Sequence, residues 1–226
     1  MKRIIYWVLM ILAGGVYSGC GENEIELYNQ TSRINLNAPT DIISLTDKDY
    51  LDEDPYTEYE IRVNLQGDLL KENRDFCLKS TPNSDYKNSL EVVFESKYTY
   101  SVLEEVSQVV KCKVKRPVVK SGKKEYGCNI EFDLDNPLHQ FDKGLVERNR
   151  MVLNVQWELE PTGWSGVWGK YSDAKYMFMM DTLKLTLKDI TNNNAALATV
   201  KEAYTEYKKT HDPILDDKGE EISFGE

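Results

Sequence analysis

Two long runs in this chain alternate apolar and polar side chains with a period of two, and that pattern constrains the fold more than any other feature. In the first, Tyr59, Ile61, Val63 and Leu65 fall on one face and Glu60, Arg62 and Asn64 on the other. In the second, Met151, Leu153, Val155, Trp157 and Leu159 repeat the pattern. Successive side chains of a β-strand point to opposite faces, so a one-residue slip would turn the whole apolar set into water. Shorter β-rich stretches at residues 90–94, 109–114 and 130–134 lie between the two runs, separated by Asn, Asp, Gly and Pro. The pattern predicts a mainly β fold, an Ig-like antiparallel sandwich over residues 32–160. Strands do not alternate with helices, which argues against a doubly wound nucleotide-binding fold.

The character changes at Pro161. A glycine-dense loop, Pro161 to Gly169, carries Trp164 and Trp168. Residues 175–187 read as a strand. Residues 195–209 read as a helix, because Ala196, Val200, Ala203, Tyr204 and Tyr207 recur at helical spacing. His211-Asp212-Pro213 stops it. Residues 161–226 are therefore expected to form a smaller C-terminal region with strands and one helix.

At the other end, Lys2 and Arg3 precede an uncharged stretch from Ile4 to Gly19. A basic start followed by a short apolar run reads as a secretory signal over residues 1–19. The run falls short of the about 20 residues that a membrane span needs. It closes on Tyr17-Ser18-Gly19-Cys20, which resembles a bacterial lipobox and departs from it at Tyr17. The resemblance implies cleavage before Cys20 and lipidation of that cysteine. Two or more acyl chains hold a protein stably on a membrane. Residues 20–31 then form a tether whose Glu22, Glu24 and Glu26 resemble the acidic surface-export leaders of Bacteroidota lipoproteins. The expected location is the outer membrane, lipid-anchored and facing the cell surface.

The formal net charge of −10 gives no electrostatic reason to bind nucleic acid, since that affinity rests on neutralising phosphates. Besides Cys20 the chain has Cys77, Cys112 and Cys128. Cys112 and Cys128 flank an expected hairpin with its turn near Lys120-Ser121-Gly122, so they form a bridge across it or stay as buried thiols. No C-x-x-C pair occurs, and the two histidines, His139 and His211, are far apart in sequence, so neither a metal site nor a cofactor is expected. The acidic run Asp47, Asp49, Asp52, Glu53 and Asp54 lacks the spacing of a calcium loop and reads as solvated charge. No catalytic residues emerge: a G-x-S-x-G elbow is absent, and nothing singles out a carboxylate pair. Lys111, Lys113 and Lys115 alternate along one strand face and read as guards of an exposed sheet edge. Trp164, Trp168 and Tyr171 have two readings. They form a glycan-binding surface, because sugar C–H faces stack on aromatic rings, or they pin the loop to the sandwich.

The whole mature chain also resembles a family of Bacteroidota surface lipoproteins of unknown function, encoded beside SusC/SusD-like outer-membrane nutrient-uptake pairs. After the lipobox, the resemblance rests on Tyr59 to Gly67, on Arg74-Asp75-Phe76 and on Gln140-Phe141-Asp142-Lys143-Gly144. It continues through Pro161-Thr162-Gly163-Trp164, Gly169 to Phe178 and the closing Ile222-Ser223-Phe224. It implies an Ig-like β-domain, a smaller C-terminal region and a non-enzymatic accessory role in glycan or nutrient capture. The implied partners are the membrane, a polysaccharide and a SusC/SusD-like complex. The alternative is a structural or adhesin-like protein that binds another outer-membrane component.

Overall fold

The computed structural model describes residues 32–86, 89–119, 125–145, 148–159, 161–164 and 166–225. The signal, Cys20, the tether and the turn at Lys120-Ser121-Gly122 lie outside the described residues. From Ser32 onward the chain is one compact unit.

The architecture is mainly β, and its core is a sandwich of two sheets. The first sheet has the order β10 (Asp142–Lys143), β1 (Arg33–Leu36), β3 (Tyr56–Gln66), β8 (Ser107–Lys115), β6 (Val92–Val93). The second has the order β2 (Thr40–Leu45), β11 (Arg150–Trp157), β9 (Glu125–Phe132), β5 (Leu78–Pro82). A small pair, β4 (Arg74–Phe76) with β7 (Tyr98–Tyr100), stands apart from both. The expected alternation places Ile61, Val63, Leu153 and Val155 in the core, each no more than 1% exposed.

The first strand divides between the sheets. β1 runs antiparallel to β3, whereas β2 runs parallel to β11. The switch takes three residues. The Asn37 N–H still donates to Arg62 of the first sheet, and the Pro39 carbonyl already accepts from Val152 of the second. Pro39 has no N–H to extend a ladder, which suits it to the break. This divided first strand, together with the two strand orders, is the Ig-like arrangement.

The hairpin expected between Cys112 and Cys128 is not formed, because β8 and β9 belong to opposite sheets. Alternation decides which side chains turn inward but not which sheet a strand joins. Cys112 and Cys128 are buried free thiols, as is Cys77. Burial pushes the Cys112 thiol up to about 12, with Cys128 adding to the effect, and pushes Cys128 up to about 11.

The lysines of β8 lie on a strand that β6 covers only at Lys113 and Val114, so residues 107–112 form a sheet edge among the described residues. Their charge is met from neighbouring strands and loops. Lys111 sits 2.6 Å from Glu58, and Lys115 sits 2.8 Å from Glu91. The acidic run at residue 47 opens a short helix, α1 (Asp47–Leu51). Thr46 and Asp49 form a capping box there, and Arg116 pairs with Asp52 at 3.0 Å.

The strand expected at 175–187 is instead a helix, α2 (Asp173–Leu183). Its Tyr-Met-Phe-Met-Met run is apolar all round, a pattern that period alone cannot separate from a buried strand. The ends decide. Ser172 accepts a hydrogen bond from the Lys175 N–H at the start, and Lys184 stops the helix in the left-handed region with φ 54°. The C-terminal region therefore holds two α-helices rather than one, the second being α3 (Asn193–Tyr207), capped by Asn192. A tight turn, Gly166–Trp168, leads into the pair.

Candidate functional site

A notch opens where the chain crosses between the sheets. β1 covers β3 only from Val63 to Gln66. Beyond that point the chain leaves for the second sheet, and no strand among the described residues replaces it along Tyr59 to Arg62. Asn37, Asp41, Tyr59, Glu60 and Arg62 line the resulting pocket of about 190 Å³, together with the apolar side chains of Val109 and Met151.

Two of these groups are held by each other. The Tyr59 hydroxyl donates to Asp41 Oδ2 at 2.6 Å, and the Ile42 N–H donates to Asp41 Oδ1 at 2.8 Å. Burial and the Asp41 carboxylate push the Tyr59 phenol up, so it stays a donor. The Asn37 side-chain oxygen accepts from Asn64, and its amide N–H groups have no acceptor among the described residues. Glu60 lies 3.8 Å from Lys111. Arg62, on the exposed face of β3, has no carboxylate within ion-pairing distance among the described residues. The notch thus sets apolar side chains beside the donors of Arg62 and Asn37.

The tryptophan loop has a different character. Trp168 is fully buried, and its indole N–H donates to Asn193 at 3.3 Å. Trp164 donates to the Gly169 carbonyl at 2.8 Å and packs edge-on against Tyr171, with ring centres 5.2 Å apart. Only Trp164 and Tyr171 of the three predicted rings keep partial exposure. Beneath them Lys175, 3% exposed, donates to the Lys170 carbonyl and lies 5.3 Å from the Phe224 ring. Burial lowers its affinity for a proton. These contacts tie the loop, α2 and the tail together.

A more open groove runs between α3 and the tail, where Lys208 and Glu221 neutralise each other at 2.9 Å. The histidines lie apart. His139 accepts from the Cys77 N–H, and His211 stacks on Tyr207 at 4.4 Å.

Sequence reasoning missed the notch. It counted Tyr59 as core and Arg62 as an ordinary outward residue, and the signal that marks the site is Asn37-Ala38-Pro39, a proline-broken first strand.

No family model matches the chain, and no curated protein matches it. Among solved structures, it is similar to a proposed carbohydrate-binding protein from Bacteroides ovatus, at 8% identity and a TM-score of 0.40. That match covers 55% of this chain and 36% of the other, so this chain spans little more than a third of that protein. A second Bacteroides ovatus protein, of unknown function, matches at 11% identity and a TM-score of 0.39, covering 62% and 48%. The apo-form Calx CBD1 domain matches at 12% identity and a TM-score of 0.37, covering 57% and 99%. At these scores the likenesses speak to neither ligand nor partner.

Proposed function

We propose that this chain is a surface-anchored lipoprotein that captures a glycan at the outer membrane without catalysing its breakdown. The crossover notch carries the reading. Sugars present an apolar C–H face and a rim of hydroxyls, and the notch sets the apolar side chains of Val109 and Met151 beside the Arg62 guanidinium and the Asn37 amide. Its volume is below that of a drug-sized pocket and suits about one sugar ring. The aromatic pair Trp164 and Tyr171 is a secondary contact surface. Cys20 supplies the anchor, its lipobox and the acidic residues after it support an outward-facing place, and the resemblance of the mature chain suggests a SusC/SusD-like uptake complex as neighbour.

Two experiments test this. Labelled palmitate enters the wild-type protein and is absent from Cys20→Ala. In a panel of acidic and neutral polysaccharides, the full chain is retained in affinity gels by at least one. Failure to be retained by any, with co-purification of an outer-membrane protein, would replace glycan capture by the adhesin-like alternative.

A further inference from the structure

The geometry points to a carboxylate-bearing sugar as the ligand of the notch, a uronic-acid residue whose carboxylate is held by Arg62. This deepens the glycan reading and rests on it.

The charges of the pocket decide the matter. Asp41 already accepts two hydrogen bonds, one from Tyr59 and one from the Ile42 backbone, and so is satisfied within the protein. Glu60 has Lys111 within 3.8 Å. Of the lining charges, the Arg62 side chain alone has neither a hydrogen bond nor an ion pair among the described residues, and a guanidinium presents a planar fork of donors that fits a carboxylate through two parallel hydrogen bonds. The Asn37 amide adds a neutral donor to the same pocket, its own oxygen accepting from Asn64. A neutral hexose would leave Arg62 without a counter-charge.

The surroundings favour the same class. Arg62 stands beside Val109 across the β3–β8 register, and the acid nearest to it along the same strand face, Glu60, has Lys111 as its partner at 3.8 Å. The net charge of −10 opposes a polyanion at long range, but physiological salt screens exposed charges beyond about 8 Å. A contact inside the pocket is shorter than that.

The test is calorimetric titration of the full chain with tri-galacturonate and with galactotriose, for the wild type and for Arg62→Leu, Arg62→Lys and Arg62→Gln. The wild type should bind the acidic trisaccharide about tenfold or more tightly than the neutral one, the ratio expected for one charged hydrogen-bonded pair. Arg62→Leu and Arg62→Gln should erase that preference with unchanged melting temperatures, and Arg62→Lys should keep part of it. Equal affinity of the wild type for both sugars overturns this inference and leaves glycan capture standing. So does an acid preference that survives Arg62→Leu. Absence of binding across an acidic and a neutral panel overturns both.

Discussion

The sandwich and the C-terminal region solve the same problem, fixing a buried core, by different means. In the sandwich, backbone ladders set the geometry. β3 pairs with β8 from Tyr56 to Asn64, and β11 pairs with β9 from Arg150 to Gln156. Side chains such as Ile61, Val63, Ile130 and Leu153 need only be apolar and alternate. The C-terminal region, among its described residues, has only an isolated antiparallel bridge between Leu215 and Glu221. Its core is aromatic and methionine-rich, and individual polar atoms hold it in place. Tyr176 donates to Asp47 at 2.7 Å and accepts from the Leu187 N–H at 3.1 Å. Tyr50 donates to Asp181 at 3.0 Å in the reverse direction, so α1 and α2 each send a phenol to the other's carboxylate. Sequence tolerance should therefore be broad in the sandwich and narrow in the C-terminal region.

The sharpest way to break this comparison is to empty the ring position that α3 and the loop share. Trp168→Ala removes a fully buried indole and leaves Asn193 without its donor. It should cost about 3–5 kcal/mol, against about 0.5–1.5 kcal/mol for Ile61→Val in the sandwich. Chemical denaturation of the two variants gives both numbers. Similar losses would mean that the regions do not differ in the way described.

Tyr176→Phe is next. The ring stays, so packing is conserved, but the Leu187 N–H loses its acceptor and Asp47 its donor. A loss of about 1–3 kcal/mol is expected, since an unpaired buried group keeps its desolvation cost. If the loss is close to zero, the C-terminal region is held by shape alone. Ser172→Ala, which removes the cap of α2, should cost about 1 kcal/mol and should shift helical circular dichroism more than the β signal.

How much of this was legible beforehand follows from the same contrast. Period-two runs identified β3 and β11 because a half-buried strand writes its burial directly into sequence. The helix at residues 173–183 was not legible by that route. A segment buried on all sides shows no period, and the deciding residue is Ser172, a cap outside the apolar run. The sheet assignment of β8 and β9 was hidden for a related reason. Cys112 and Cys128 both alternate correctly, but the choice between neighbouring in one sheet and facing across two depends on contacts distant in sequence. Of the candidate site, the part that came from composition, the Trp164–Tyr171 surface, keeps only partial exposure. The notch depends on a strand break whose consequence shows only when both sheets are present.

The smallest expected effect concerns pH, and it returns to the sandwich side of the comparison. His139 is half-buried against Phe132 and Phe141, and its Nδ1 accepts from the Cys77 N–H at 3.2 Å. That nitrogen is therefore unprotonated in the folded protein. Burial lowers the folded-state pKa of His139 below the ordinary value of 6.5, and the Asp133 carboxylate offsets this only in part. Between the lowered value and 6.5 the unfolded chain binds more protons than the folded one, so stability rises with pH across that window. The contribution is complete above 6.5 and is lost as pH falls through the window, levelling off below the folded value. His139→Asn keeps an acceptor near the Cys77 N–H but cannot titrate. Its melting temperature should change less than that of the wild type between pH 7.5 and mildly acidic pH, a range about two units wide that spans the ordinary histidine value. Equal slopes for the two proteins would show that the region next to β5 draws its acid sensitivity from carboxylates such as Asp75, whose pKa is lowered by hydrogen bonds from Lys97 and Thr99. A shallower slope for the variant would mean that even the ladder-built half of the molecule relies, at one position, on a single polar side chain.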